Sequence, residues 1–543
     1  MKRTGRGVAI SRTMTALVLA VTGVLQPSMA GAVGFDIGGD IQGAFDTDIT
    51  YGYMRRMQSG QDDTKANSYG NRVLFPDRGD TLSNIVRVSH TLELKRGNAM
   101  GFLMRGNYFY DAAYRNKDLP TDTRNALVHS EDITDAVFFT KLGDTVTLRV
   151  GKQVINWGEN TFIQGGLSDI NTFDTSKLRS PGSDLKDAFV GANAIDLSWS
   201  ENNWTVEGFA LFAFDKVKID AMGSPFATLD ALADGGGVDL GGNGVLGGGC
   251  VAAGIPVSRC DLAGGALVRT NDKLASKSGQ WGIAVRKFFP ELFNGTEIGL
   301  YAQNLHDHLP SISTYAKTGL YFADYVEDIK RYGISFNTTT TGGLAVSGEY
   351  SIRKDAPIQL LAPVLNGRVA STAPVAVGSY QRGWATSDRH QAQVTLQKNW
   401  GVLHYLGADE SSSILEVAVG KVNDLPAAAL LLEPTLTKSW TGLQMKHSMN
   451  FQAALFNLIA VSPSLAYRWD MHGNSNEVAG KNFVGGRQAL TLGLDFNYAN
   501  GKYRGGIGFT NFFGRHSEKT ATGSLLNGTY DRDFLQANVS MSF

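Results

Sequence analysis

The chain has 543 residues, of which 50 are basic and 51 acidic, with 64 glycines, 10% aromatic residues and only 19% charged ones. That near-neutral balance, without a basic excess, argues against a nucleic-acid partner, and 43% apolar residues exclude a disordered chain. Sparse charge, abundant glycine and short alternating stretches also differ from the helical make-up expected of a large soluble enzyme.

Residues 1–30 read as a cleaved secretory signal peptide. Lys2, Arg3, Arg6 and Arg12 precede an uncharged apolar run from Met14 to Leu25, and Ser28 and Ala30 supply the small residues of a cleavage site. Cleavage removes four basic residues and no acids, which moves the net charge from −1 to −5. No other stretch approaches the roughly 20 apolar residues of a membrane-spanning helix. An exported chain without such helices crosses a membrane only as a closed β-barrel.

The pattern that follows is period two. Phe35, Ile37, Ile41, Phe45, Ile49, Tyr51 and Tyr53 occupy odd positions, with Asp36, Asp40, Gln42, Asp46 and Asp48 between them, and this reads as one long strand with an apolar and a wet face. Val86, Val88, Leu92 and Leu94 repeat the pattern before the Arg96-Gly97-Asn98 turn, as do Leu490, Leu492, Leu494 and Phe496 before Ala499-Asn500-Gly501. Strands are expected near residues 35, 83, 99, 134, 145, 188, 204, 280, 296, 329, 343, 386, 412, 440, 457, 488, 502 and 534. Short turns between them take turns with long connections, one short-turn position (400–411) being longer than the rest. The expectation is an all-β, transmembrane antiparallel barrel of the outer membrane with about 16 to 18 strands, occupying residues 31–543 as one domain, with short periplasmic turns and long outer loops.

The chain stops on an amphipathic strand in which Leu535, Ala537, Val539, Met541 and Phe543 alternate with Gln536, Asn538, Ser540 and Ser542. A terminal aromatic closing such a strand resembles the signal read by the barrel-assembly machinery of Gram-negative bacteria. Cys250 and Cys260 lie in the longest connection, a glycine-rich outer loop over about 215–279, and are expected to form a disulfide there.

No nucleophile elbow, zinc-protease helix or phosphate-cradling loop is present, so an enzyme, a cofactor and a metal are not expected. His306-Asp307-His308 is the one pair of rings spaced for a metal, and it reads as loop surface. The informative connection is the third outer one, 153–187, at the position where general porins fold a loop into the lumen. It brings together Trp157, Glu159, Asp174, Lys177, Arg179, Asp184 and Lys186, and opposite charges facing one another in a narrow channel would set selectivity. These seven are the constriction candidates, with packing of the same loop against the wall as the alternative.

The runs Gly151-Lys152-Gln153-Val154 with Asn156-Trp157-Gly158-Glu159, Lys177-Leu178-Arg179 with Pro181-Gly182-Ser183-Asp184-Leu185-Lys186, and Ser351-Ile352-Arg353-Lys354-Asp355-Ala356-Pro357-Ile358-Gln359 resemble the "domain of unknown function 1302" family. Trp469-Asp470-Met471-His472-Gly473-Asn474-Ser475 does too, although the family more often has His-Asp-Val there. The resemblance implies an exported proteobacterial protein handling hydrophobic compounds such as fatty acids, alkanes or steroids. It also implies a companion periplasmic protein and an efflux-type inner-membrane transporter as partners.

Several outer connections are greasy: Pro357 to Leu365, Ala427 to Leu432, and Phe226 with Leu229 and Leu232. Apolar groups on water-facing loops need cover, either from a self-packed cap over the barrel mouth or from a ligand. The function expected is therefore a passive, loop-gated outer-membrane channel for a hydrophobic or amphipathic solute, in contact with outer-membrane lipid. A general or selective porin for small polar solutes is the alternative, and an outer-membrane hydrolase a lesser one.

Overall fold

A computed structural model describes residues 33–543 apart from 61–73, 184–187, 230, 234–267, 317, 319, 361–375, 456–457, 479–480 and 519–525. The proposed signal peptide, Asp184, Lys186, Cys250, Cys260 and the end of the Pro357-to-Leu365 run lie outside the described residues.

Eighteen strands pair antiparallel, each with its neighbour in sequence, and close on themselves. They are β1 (Ile41–Arg56), β2 (Thr81–Arg96), β3 (Met100–Asp111), β4 (His129–Leu142), β5 (Val146–Gln153), β6 (Ala192–Glu201), β7 (Trp204–Leu211), β8 (Trp281–Phe289) and β9 (Thr296–Leu305). The second half comprises β10 (Ile329–Thr339), β11 (Leu344–Gln359), β12 (Trp384–Asn399), β13 (Glu410–Val422), β14 (Ser439–Leu455), β15 (Ile459–His472), β16 (Arg487–Tyr498), β17 (Tyr503–Gly514) and β18 (Phe534–Ser542). Closure runs from Asp48↔Ser542 to Arg56↔Phe534 between β1 and β18, and the Phe543 and Thr47 backbones exchange hydrogen bonds of 2.8 and 3.0 Å just beyond it.

The alternation has the physical consequence anticipated from sequence. On β10 Tyr332, Ile334 and Phe336 are exposed on the outer surface, whereas Arg331 and Ser335 between them are buried. On β9 Ile298 and Leu300 face out while Tyr301 and Gln303 are buried. An apolar exterior around a polar interior, with every strand paired on both sides, is the arrangement a bilayer requires. Among the described residues no helix is long and apolar enough to cross a membrane.

Two strand boundaries differ from the sequence reading. The run from Phe35 to Tyr53 is broken: Val33–Gly38 folds back on β1 as a hairpin, with Gly38, Gly39 and Asp40 all at positive φ. Its register, Val33↔Phe45 and Phe35↔Gly43, pairs odd residues with odd ones. Directly paired residues share a sheet face, so the odd-position pattern runs through the hairpin undisturbed and cannot reveal it. The second difference is at Pro357–Gln359, which extends β11 past an irregularity after Arg353 rather than belonging to an outer loop.

The loops above the mouth form a cap. Ser311–Tyr315, Leu320–Asp324, Val268–Arg269 and Tyr380–Gln381 make a separate four-stranded sheet. The sheet's own Ile312 and Tyr321 are buried together with Leu229, Leu232, Tyr325 and Leu432, and Ile219, Leu360 and Val478 pack against them. The greasy connections thus cover one another, as apolar surface in water must.

Candidate functional site

The described residues of the connection between β5 and β6, 154–183 and 188–191, run inside the barrel. The connection leaves β5 along the β7–β9 wall, where Ile155, Trp157, Leu167 and Ile170 are buried against Phe209, Ala284, Tyr301 and Leu305. The Trp157 ring lies 4.8 Å from that of Phe209 and 5.8 Å from that of Tyr301. The chain then crosses to β13 and β14, where Ile163 packs with Ala418, Val422 and Trp440. After a two-residue pairing of Thr172–Phe173 with Phe189–Val190 and a short helix, Thr175–Leu178, it reaches β2, where Arg87 Nη2 donates to Ser180 Oγ at 2.8 Å.

Two strand carboxylates hold the crossing. Glu416 on β13 accepts the backbone N–H groups of Thr161, Phe162 and Ile163 at 3.0, 2.5 and 2.9 Å. Glu349 on β11 accepts those of Glu159 and Leu167 at 2.7 and 2.9 Å. Glycine makes the second grip possible. A Cβ on Gly166 or on Gly158, the latter at φ +85°, would collide with the Glu349 carboxylate. These bonds satisfy loop amides that would otherwise be orphaned in the bore.

A row of arginines lies four residues further along the wall. Arg331, Arg353 and Arg389 stand directly opposite one another on β10, β11 and β12, and all three are buried. Arg353 Nη2 donates to Asp169 Oδ2 at 2.5 Å, and Arg331 Nη1 to the Asp169 carbonyl at 2.7 Å. Burial alone would raise the Asp169 pKa, but Arg353 and Arg331 outweigh it and hold the carboxyl below its usual range. Arg389 pairs with Glu477 from the 473–486 connection; burial opposes that ionisation, and Arg389 overcomes it, holding the pKa near 2.

The constriction candidates are spread along this path. Trp157 is wall packing, 1% exposed. Glu159 accepts from Asn337 Nδ2 at 3.1 Å; burial, with Glu297 and Glu349 adding to it, pushes its pKa up to about 7. Asp174 caps the short helix by accepting from the Ser176 and Lys177 amides, and Lys177 bonds Asp132 on β4 at 3.4 Å. Arg179 pairs with Asp220 from the cap and borders the cavity described next. Three groups that hold the loop, Glu349, Glu416 and Arg331, are absent from the sequence reading, and so is Arg389, which holds Glu477. Each is a charged residue on the polar face of an alternating strand, a pattern that marks it as lumenal but not as a grip on a distant segment.

Between the loop, the cap and the β10–β17 wall lies a cavity of about 380 Å³. Phe162, Ile219, Phe226, Leu229, Val478 and Phe483 line it beside Arg353, Arg389, Arg468 and Arg487. His306 and His308, read from the sequence as loop surface, are buried, at 1% and 6% exposed. The His306 ring is occupied by Ser278 O and the Asp328 amide, and among the described residues no three His, Cys, Asp or Glu groups cluster for a metal.

The model of the family described as "Protein of unknown function (DUF1302)" matches residues 13–543. The chain belongs to that family. No curated protein matches it. Its fold is similar to solved outer-membrane structures: OccAB3 of Acinetobacter baumannii (9% identity, 92% of this chain and 99% of that one, TM-score 0.45), a BenF-like porin of Pseudomonas fluorescens Pf-5 (10%, 92% and 98%, 0.44), and Pseudomonas aeruginosa OpdK with vanillate (8%, 92% and 98%, 0.43). These are loose likenesses of shape, and the barrel assignment for this member of the family stands on its own strand pairing.

Proposed function

We propose that this protein is an outer-membrane channel for passive uptake of an amphipathic solute, gated by the 154–191 loop. The observation that carries the reading is the cavity of about 380 Å³ closed in by that loop and the cap, lined by apolar and charged side chains together. Its volume falls in the range of about 300–1,000 Å³ typical of small-molecule sites. A water-filled porin for small polar solutes needs a continuous wet path, and here the bore carries a loop pinned to three walls. The solute would leave toward a periplasmic protein and an inner-membrane transporter, the partners that the family resemblance implies. In this reading residues 1–30 direct export and the barrel-assembly machinery inserts the chain.

Liposome swelling tests gating against open diffusion. Proteoliposomes holding the wild-type protein should swell slowly in small neutral sugars, and those holding a variant without residues 158–168 should swell fast. Fast swelling with the wild-type protein would favour the polar-solute porin.

A further inference from the structure

We propose that the turn between β12 and β13, residues 400–408, inserts into the headgroup layer of the periplasmic phospholipid leaflet and anchors the barrel there. The anchor is independent of what passes through the bore. The turn lies at the end of the barrel opposite the cap. Three other turns at that end, Arg96-Gly97-Asn98, Glu201-Asn202-Asn203 and Ala499-Asn500-Gly501, are short and polar. Trp400-Gly401-Val402-Leu403-His404-Tyr405-Leu406-Gly407-Ala408 is longer and contains no Asp, Glu, Lys or Arg. Trp400, Val402, Tyr405 and Leu406 are 55%, 52%, 81% and 50% exposed, and Tyr405 is the most exposed large hydrophobic residue among those described. An apolar group of this size on one turn calls for cover.

What Trp400 touches gives the direction in which the turn leans. Val394, Leu396 and Lys398 on β12 stand opposite Val417, Leu415 and Ser413 on β13, and Leu415 and Ser413 stand opposite Met445 and His447 on β14. Directly paired residues share a sheet face, and Val394 and Met445 are exposed on the outer one. Ser413 and His447 therefore look outward as well. Trp400 Nε1 donates to Ser413 Oγ at 2.9 Å, and that oxygen lies 2.9 Å from His447 Nδ1. Ser411, on the same face, is buried, as a residue under the turn would be. The turn thus continues the lipid-facing band instead of hanging below the bore. Its backbone is held: Leu403 pairs with Ala408, and the Trp400 amide donates to the Ser411 carbonyl at 2.8 Å.

That continuity selects lipid as the occupant over a protein docking from below. Trp and Tyr couple an apolar ring to a polar tip and concentrate where a membrane meets water. Lys398, the preceding residue on the outer face, carries its ammonium to the Gly342 carbonyl of the neighbouring turn, so the apolar band gives way to the headgroup layer at this level.

The test places an environment-sensitive nitrobenzoxadiazole label on His404→Cys, which leaves Trp400, Val402, Tyr405 and Leu406 in place. The full-length mature protein carries Cys250→Ser and Cys260→Ser and sits in phospholipid nanodiscs, where both faces are open to water. The same label on Asn98→Cys, in a polar turn, is the control. The label at 404 should emit at shorter wavelength than the control, lose intensity when the lipid carries a spin label at the top of its acyl chains, and resist quenching by aqueous iodide. Iodide quenching equal to the control, without loss to the spin-labelled lipid, would put the turn in the periplasmic water and overturn the proposal. A label shielded from both quenchers would overturn it too, since the turn would then be covered by another copy of the chain. If His404→Cys does not assemble, Leu406→Cys carries the label and the same outcomes decide.

Discussion

Glu416 accepts the backbone N–H of Ile163 at 2.9 Å across the barrel interior, although the two residues are 253 positions apart in sequence. With Thr161 and Phe162 on the same carboxylate, one side chain anchors three successive amides of a loop that begins eight strands away. The loop is therefore held by charge-assisted bonds to its backbone and not by packing alone.

Glu416→Gln replaces one acceptor oxygen with an amide that faces backbone donors. Bonds to a charged group contribute about 1.5–3 kcal/mol each, so the loop should leave the wall in a larger fraction of molecules. Single-channel recordings should show larger, noisier conductance than wild type. Unaltered traces would mean that the loop does not obstruct the path.

Gly166→Ala tests the second grip. The added Cβ would lie 2.9 Å from Glu349 Cδ, closer than such atoms pack. Overpacking of this kind costs about 1–3 kcal/mol. The expected result is faster trypsin cleavage within 154–191 in intact proteoliposomes, at unchanged barrel melting temperature. Equal cleavage would show that the loop accommodates the methyl group.

Much of this was legible in the sequence, because period two is a direct image of a strand between lipid and lumen. Tyr332, Ile334 and Phe336 against Arg331 and Ser335 need no tertiary knowledge to be placed. The hairpin at Gly38–Asp40 escaped because antiparallel pairing conserves parity. Glu349, Glu416 and Arg389 escaped for another reason. A polar face is expected to be wet, and nothing local distinguishes a wetted glutamate from one gripping a distant loop. Among the 154–191 charges, Asp174 serves a local helix cap, whereas Lys177 pairs with Asp132, a partner far away in the chain.

Glu159 makes the docked loop pH-sensitive. Its pKa is raised to about 7, chiefly by burial, so docking favours the protonated form. That contribution is complete below the ordinary carboxylate range and is lost as pH rises through about 7. Open probability should rise between pH 5 and 8, and Glu159→Gln, which mimics the protonated group, should flatten the profile. A wild-type channel insensitive over that window would argue against this role.

Arg179→Ala removes a cation bordering the cavity and leaves Asp220 without its partner. Selectivity should move toward cations, read as a shifted reversal potential in a salt gradient. An unshifted potential would place Arg179 off the permeation path.

Phe543→Ala leaves the backbone pairing with Thr47 available but deletes the terminal aromatic ring. Insertion into the outer membrane should slow in a pulse-chase assay of heat-modifiable barrel. Wild-type kinetics would remove Phe543 from the assembly signal.

The most direct test of a gated amphiphile channel is the single-channel conductance of the purified, refolded protein in a planar bilayer, recorded before and after adding dodecanoate. A small, flickering conductance that changes on addition is the predicted result. A large, steady conductance indifferent to dodecanoate would contradict it and make the protein an open porin.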